Sequence, residues 1–460
     1  MLLKLHSLPL CLLALSIVPV SAATAASGPA LDAAVRQRAE LLVHEGRHAS
    51  IVIALTDGKN SAVYGFGRAR ADSNSEPDAD TVYEIGSITK TMTGLLLADA
   101  VTAGKVKLDE PVASLLPGYT IPAFEGQKIT LLDLATHFSG LPRLPANLAP
   151  ADMNNPYAGY GDAQLRTFLA SHALAHRPGT VFDYSNLGYG LLGTALAAKA
   201  GTTYENLLQE KIARPLGLRS TSTAATPAMR SRLAQGHLSD GKPAHNWDFQ
   251  AIAPAGAVYS DARDMLIYLQ SYMNKTGAAQ QLAVQPQQVL EEEHGKKIGL
   301  AWIIDQAKGQ PFAWHNGQTG GYASFAGYTL DGKRGVIILT NTASDVDALG
   351  LASLVPGTLP PLKKVTPQLK EISIAPSELA QYAGDYALAP QFVLTVRQGP
   401  EGLLVGATGQ GEAPVYASAK DHFFYKAVDA QLEFQRDAQG VITGVVLHQN
   451  GQAILGKRKP

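Results

Sequence analysis

Tyr83-Glu84-Ile85-Gly86-Ser87-Ile88-Thr89-Lys90 is the stretch whose reading decides the fold. Thr81 to Gly86 has the character of a short strand closed by a glycine turn, and Thr91 to Thr102, rich in Leu and Ala, reads as a helix. Ser87 thus stands where a strand hands over to a buried helix, at the positive end of the helix dipole. Lys90, three positions on, shares a helix face with it. A desolvated amine beside a hydroxyl can take its proton, so the pair reads as a nucleophile with its own base. A second Ser-x-x-Lys, Ser239-Asp240-Gly241-Lys242, runs into Pro243 and reads as a turn with no helix to align the lysine.

Upstream, Leu31 to Val43 reads as a helix, and Ser50 to Thr56 and Ala62 to Ala69 as strands joined by Asp57-Gly58-Lys59-Asn60. Downstream, Ile129 to Thr136, Leu187 to Ala200 and Tyr259 to Asn274 read as helices. Gly299 to Asp305, Phe312 to Trp314, Ala323 to Leu330 and Gly335 to Asn341 read as strands. Strands at both ends with helices between them imply an α+β domain, an antiparallel sheet flanked by helices, over residues 27–354. A Pro-rich linker is expected over 355–375, around Pro356-Gly357-Thr358-Leu359-Pro360-Pro361. Beyond it, a short helix over Leu379 to Gly384 precedes the alternating segments Phe392 to Val396, Gly402 to Ala407, His422 to Tyr425, Gln431 to Gln435 and Gly444 to Gln449. Their spacing predicts a small all-β, barrel-like domain over 376–460.

The chain has 460 residues, a formal net charge of −1 and 17% charged residues, which gives no footprint for nucleic acid or an anionic membrane. Lys4 and His6, the apolar run Leu8 to Val20 and the small residues Ser21 to Ala26 have the layout of a secretory signal peptide over 1–26. The run is short for a spanning helix, and no later run could cross a membrane. Cys11, the single cysteine, lies inside that leader, so the mature chain would hold no disulfide. The expectation is an exported protein, periplasmic or secreted.

Two further motifs accompany Ser87. Tyr184-Ser185-Asn186 falls in a turn before the helix Leu187 to Ala200, and His315-Asn316-Gly317 falls at a strand start, followed by Gln318-Thr319-Gly320-Gly321-Tyr322. Tyr-x-Asn recurs at Tyr204 and Tyr272, and His-x-Gly at His44, each inside or at the edge of a predicted helix. Order and surroundings make the set specific: YEIGSITK from Tyr83, ITLLDLATHFSGLP from Ile129, PGTVFDYSNLGYGLLG from Pro178 and HNGQTGGY from His315 follow one another. So ordered, residues Leu31 to Leu351 resemble the serine hydrolases of the class C β-lactamase and penicillin-binding protein superfamily, which also holds D-Ala-D-Ala carboxypeptidases, D-aminopeptidases and esterases. The C-terminal β domain resembles the lipocalin-like extensions carried by some of these hydrolases.

The resemblance implies a β-lactamase/transpeptidase-like fold, a small-molecule or short-peptide substrate, no cofactor and no metal. It makes Ser87 the acylated nucleophile, Lys90 its partner and Tyr184 the general base, as a phenolate or through a shared proton. Asn186 would bond the substrate amide, and the oxyanion would lie between the backbone N–H groups of Ser87 and Gln318, with Gly317 admitting close approach. Class C β-lactamases usually carry Lys-Thr-Gly where this chain has His315-Asn316-Gly317; a histidine there is more familiar in peptidases and esterases. It weakens the fixed positive charge and predicts a pH dependence near the ordinary histidine pKa. Two other classes compete with an acyl-enzyme hydrolase. One is a catalytically slow penicillin-binding or sensor protein. The other is a zinc peptidase through His44-Glu45-Gly46-Arg47-His48, although Gly46 weakens the helix that such a site requires. His172 and His176, four apart without a nearby carboxylate, read as surface residues.

Overall fold

The computed structural model describes residues 28–72, 76–275, 277–291, 295–362, 371–389, 392–399, 402–408, 412–425, 430–449 and 452–459. The expected leader, with Cys11, and the middle of the expected linker, residues 363–370, lie outside them. The chain divides into two units, Met1–Pro360 and Pro361–Pro460. Among the described residues no helix is long and apolar enough to cross a membrane.

The first unit is built on an eight-stranded antiparallel sheet. One end of the sheet joins the two ends of the unit: Ser50–Thr56 pairs with the edge strand Ser61–Gly67 on one side and Gly335–Thr340 on the other. Ala323–Thr329, Gln310–Gln318, Ile303–Ala307, Lys296–Ile298 and Gln288–Glu291 continue the order. Ser-Ile-Val-Ile-Ala-Leu-Thr is buried along its whole length because both faces are covered. Val52, Ala54, Ile337 and Leu339 face the main core with Met265 and Leu269 of the helix Ala262–Met273. The alternate residues face the other way, where Phe325 lies close against Gly350 of the helix Asp347–Leu354. The helix Thr89–Thr102 is buried from Thr89 to Ala98 and packs against the helix Asn186–Ala200.

Several elements differ from the sequence reading. Tyr259–Asp261 is not helical; it pairs with Val82–Glu84, and the Asp261 carboxylate caps the helix that begins at Ala262. The strand expected over Gly299 to Asp305 starts only at Ile303, because Ala301 takes a left-handed backbone, φ 76°. His315-Asn316-Gly317 lies at the end of the strand Gln310–Gln318, not at a strand start. The hairpin Gln288–Glu291 with Lys296–Ile298 was not expected, because Val289 and Leu290 are adjacent and flanked by polar residues, without the alternation that marks a strand.

The second unit is a closed eight-stranded barrel in simple up-and-down order. Gly384–Ala389, Phe392–Gly399, Gly402–Ala407, Ala413–Ala419, His422–Tyr425, Ala430–Arg436, Ile442–Gln449 and Gln452–Arg458 each pair with the next, and Tyr386 opposite Arg458 closes the ring. Alternate side chains such as Leu394, Val396, Leu403, Val405, Leu432 and Phe434 fill the interior. The short helix expected before it is a turn of helix at Pro376–Leu379 and a 3₁₀ turn at Ala380–Tyr382.

Candidate active site

The strand Val82–Glu84 delivers the chain to Gly86, whose φ of 53° turns it into the 3₁₀ turn Gly86–Ile88 ahead of the helix Thr89–Thr102. That turn lies against the end of the strand Gln310–Gln318. A methyl group on Gly86 would sit 2.5 Å from Gln318 N, and one on Gly317 would sit 2.0 Å from Ile85 O and 2.8 Å from Ser87 N. Only glycine at both positions permits this approach. Ser324 Oγ donates to Ile85 O at 2.9 Å and ties the next strand to the same turn. Thr319 N–H donates to Tyr322 O at 3.0 Å, so by alternation the Gln318 N–H points away from the strand Ala323–Thr329. Pairing with Ile303–Ala307 ends at Trp314, which leaves that N–H on the open side, beside Ser87.

Lys90 is fully buried, and its Nζ lies 2.9 Å from Ser87 Oγ, 2.8 Å from Asn186 Oδ1 and 2.7 Å from Ala255 O. Burial holds this amine well below the usual lysine range, and the nearby Arg143 charge adds to the effect. Ser185 caps the helix Asn186–Ala200 through an N–H from Gly188 at 2.8 Å, which frees the Asn186 side chain to meet Lys90. Tyr184 is hydrogen-bonded to Ser87; its phenol is pushed up to about 12 by burial, against the Ser87 bond and the Arg143 charge. Lys90 Nζ lies 4.8 Å and the Arg143 guanidinium 5.1 Å from the Tyr184 ring centre. The Arg143 charge draws the phenol down, and burial outweighs it.

His315 is buried, 6.4 Å from Tyr184 between ring centres, with Nδ1 2.6 Å from Asn316 O. Burial holds it down to about 3, so it stays neutral at working pH and the inflection expected near the ordinary histidine pKa does not arise from it. Asn316 Nδ2 donates to Asp347 Oδ2 at 2.7 Å, and burial raises Asp347 to about 7, with Asp345 adding. The structure therefore brings all seven sequence-selected residues together: Ser87, Lys90, Tyr184, Asn186, His315, Gly317 and Gln318. Six of them line a cleft of about 830 Å³, and Lys90 lies beneath it.

Residues that the sequence reading did not select complete the walls. Tyr157 stacks on Phe249 at 5.0 Å and meets Trp247 edge-on at 5.3 Å, making an aromatic flank beside Ser87. Glu84 is buried in that flank, where its Oε1 accepts from Asn246 Nδ2 at 2.7 Å, Trp247 N at 3.2 Å and the Tyr259 hydroxyl at 3.1 Å. A carboxylate between Tyr83 and Ile85, in a stretch otherwise apolar, was its signal. The stretch His137 to Arg143 forms the shelf on which Tyr184 rests. Asp183 N–H donates to His137 O at 2.8 Å, Ser185 N–H to His137 Nδ1 at 3.0 Å, Ser185 Oγ to Pro142 O at 2.7 Å and Asn186 N–H to Arg143 O at 3.0 Å.

The zinc reading loses its geometry. The first helix ends at His44, Gly46 is left-handed at φ 69°, and His48 is buried with Nδ1 3.0 Å from Thr340 Oγ1. The two histidines do not share a helix face. Among the described residues no three His, Cys, Asp or Glu side chains cluster as metal ligands. His172 is half-buried and stacks on Phe168 at 4.7 Å, unlike the surface residue expected; His176 is exposed. Ser239 to Lys242 is the exposed turn expected, with Gly241 at φ 82°.

Residues 369–458 match a domain of unknown function, DUF3471. The chain is 31% identical over 343 residues to the D-alanyl-D-alanine-carboxypeptidase/endopeptidase AmpH of Escherichia coli K12, covering 70% of this chain and 86% of that protein. It is 26% identical over 340 residues to a β-lactamase of Pseudomonas fluorescens, covering 66% and 91%. Among solved structures, the β-lactamase/D-alanine carboxypeptidase of Yersinia pestis superposes with a TM-score of 0.59 at 26% identity, over 67% of this chain and 91% of that one. The octameric penicillin-binding protein homologue of Pyrococcus abyssi shares the fold at a TM-score of 0.62 and 22% identity, over 92% and 99%. Residues 31–355 match the β-lactamase family model, and with that match and the AmpH likeness the chain belongs to the β-lactamase family.

Proposed function

We propose that the chain is an exported serine hydrolase that cleaves amide or ester bonds through an acyl-enzyme on Ser87. The three contacts of Lys90 Nζ carry the reading. Asn186 Oδ1 and Ala255 O can only accept hydrogen bonds. A neutral Lys90 amine spends both N–H groups on them, and its lone pair is left facing the Ser87 hydroxyl. Burial favours that neutral state. Ser87 Oγ–H then donates to Nζ, and the oxygen is primed to attack a substrate carbonyl.

The developing oxyanion is held by the Ser87 and Gln318 N–H groups. The proton taken from Ser87 leaves on the departing amine or alcohol through the Tyr184 hydroxyl, which bonds Ser87. With the phenol held up at about 12, this shared-proton role fits better than a resting phenolate. Water then attacks the ester, and a proton returns to Ser87 Oγ. Asn186, fixed by Lys90 through Oδ1, offers its amide nitrogen to the substrate.

β-Lactams, D-amino-acid peptides of cell-wall type and small esters are the substrate classes of this reading, and the AmpH likeness supports the second of them. Residues 1–26 act as a cleaved leader to the periplasm or exterior. A second reading, a slow penicillin-binding protein, has one observation in its favour: a phenol kept protonated is a poor activator of the deacylating water. Turnover of nitrocefin, a D-Ala-D-Ala peptide and p-nitrophenyl acetate, each compared with Ser87→Ala, tests the proposal. Loss of turnover in the variant supports it, and equal turnover in both proteins removes it.

A further inference from the structure

His137 carries two locally unfavourable features at once. Its backbone is left-handed, φ 64°, a conformation uncommon for any residue but glycine. Its ring is 1% exposed, and Nε2 has no hydrogen-bond partner among the described residues. Such features persist where the surroundings over-determine them, and the surroundings here are the Tyr184 turn. The His137 carbonyl accepts the Asp183 N–H at 2.8 Å, and Nδ1 accepts the Ser185 N–H at 3.0 Å. The ring lies against Tyr184 at 4.3 Å between centres, tilted by 30°, and against Tyr189 at 4.9 Å. One side chain therefore grips the residue after Tyr184 and the face of Tyr184 itself, while its backbone holds the residue before.

We infer that His137 is a positioning residue that holds the Tyr184 hydroxyl in register with Ser87 and Lys90. The Ser185 N–H fixes the tautomer: Nδ1 accepts, so the proton sits on Nε2 and the ring is neutral. Burial, with the Arg143 charge adding, keeps it so. The ring supplies a flat, uncharged support and one acceptor, and takes no part in proton transfer. No other residue type offers an acceptor at that point together with an aromatic face. Asparagine is the nearest partial substitute: it tolerates the left-handed backbone and brings an acceptor, without the ring.

The inference rests on the hydrolase reading, and the test separates the two. The full chain is assayed with p-nitrophenyl acetate, a small acyl donor that asks little of the cleft, with folding followed by thermal melting. His137→Phe keeps a ring and loses the acceptor; it is expected to lower kcat about 10- to 100-fold with KM within about threefold. His137→Asn is expected to retain more activity than His137→Phe and stands in for it should that variant not fold. Positioning acts only through Tyr184, so the same change made in a Tyr184→Phe background is expected to cost less than about twofold more. A folded His137→Phe protein within threefold of wild type, or an equal loss in both backgrounds, would overturn the inference while a dead Ser87→Ala variant leaves the hydrolase reading standing. Turnover that is independent of Ser87 would overturn both.

Discussion

Replacing Gly317 by alanine adds one methyl group where the strand Gln310–Gln318 meets the Ser87 turn. That methyl would lie 2.0 Å from Ile85 O, 2.5 Å from Ser324 Oγ and 2.8 Å from Ser87 N. Ordinary contact begins at 3.4 Å, so relief requires the strand and the turn to separate by about 1.4 Å. The oxyanion donors must lie within about 3.1 Å of the oxygen they stabilise, and this separation carries the Gln318 N–H beyond about 4 Å, outside hydrogen-bonding range. Loss of one such donor costs about 10²–10³ in kcat. Overpacking of this kind costs about 1–3 kcal/mol of stability, which a protein of this size survives. Stopped-flow acylation by p-nitrophenyl acetate and a thermal melt on the same sample separate the two effects. The expected outcome is a folded protein whose acylation rate falls by that factor with little change in KM. A folded Gly317→Ala protein acylated within threefold of the wild-type rate would refute the assignment of Gln318 N–H as an oxyanion donor.

Other outcomes follow from the same geometry. Tyr184→Phe is expected to lose about 10²–10⁴ in kcat, measured on the same substrate, because the shared-proton path is cut; unchanged turnover would exclude Tyr184 from it. Glu84→Gln is expected to keep the wall near Trp247, since an amide oxygen still accepts from Asn246, Trp247 and Tyr259, whereas Glu84→Ala removes that shared acceptor, leaves the buried Tyr259 hydroxyl without it and lowers the melting temperature markedly. Equal melting temperatures for the two variants would contradict this. Three buried histidines set an acid limit. His48 is held down to about 4, His315 to about 3 and His137 lower than its ordinary value, while in the unfolded chain each takes a proton near 6.5. The unfolded state therefore binds more protons below pH 6.5, and stability falls on acidification by about 1.4 kcal/mol per pH unit for each such group. Melting curves from pH 7 to 4 check this, and His48→Gln is expected to flatten the slope by one group's share; an unaltered slope would contradict it. Mass analysis of protein secreted by a bacterial host is expected to find the chain cut after Ala22, Ala25 or Ala26; a retained N-terminus would reject the leader.

Much of this was legible in the sequence because its signals are local. Ser50 to Thr56 is apolar from Ile51 to Leu55 and became a strand buried on both faces. The Ser87 turn announced itself through Gly86 and the helix behind it. What escaped depends on partners far along the chain. Tyr259-Ser260-Asp261 looks like the start of a helix, and only the strand Val82–Glu84 makes it extended. His315-Asn316-Gly317 was expected at a strand start, and pairing of the whole run Phe312 to Gln318 with Ala323–Thr329 puts it at a strand's end. The barrel strands Ala413–Ala419 and Gln452–Arg458 are Ala-rich or basic and are fixed by ring closure. The ionisation states were the least legible. The sequence supplies Lys90, Tyr184 and His315 in their motifs, but burial decides the direction of all three, and burial is a property of the fold.

The central claim is a covalent intermediate on Ser87. Intact-mass spectrometry of the purified protein mixed with fluorescent penicillin, sampled over seconds to hours beside Ser87→Ala, tests it most directly. The account predicts a mass increase of one penicillin that maps to Ser87, decays at a rate reporting deacylation, and is absent from the variant. An adduct of equal size on Ser87→Ala, or one mapping elsewhere, would contradict it.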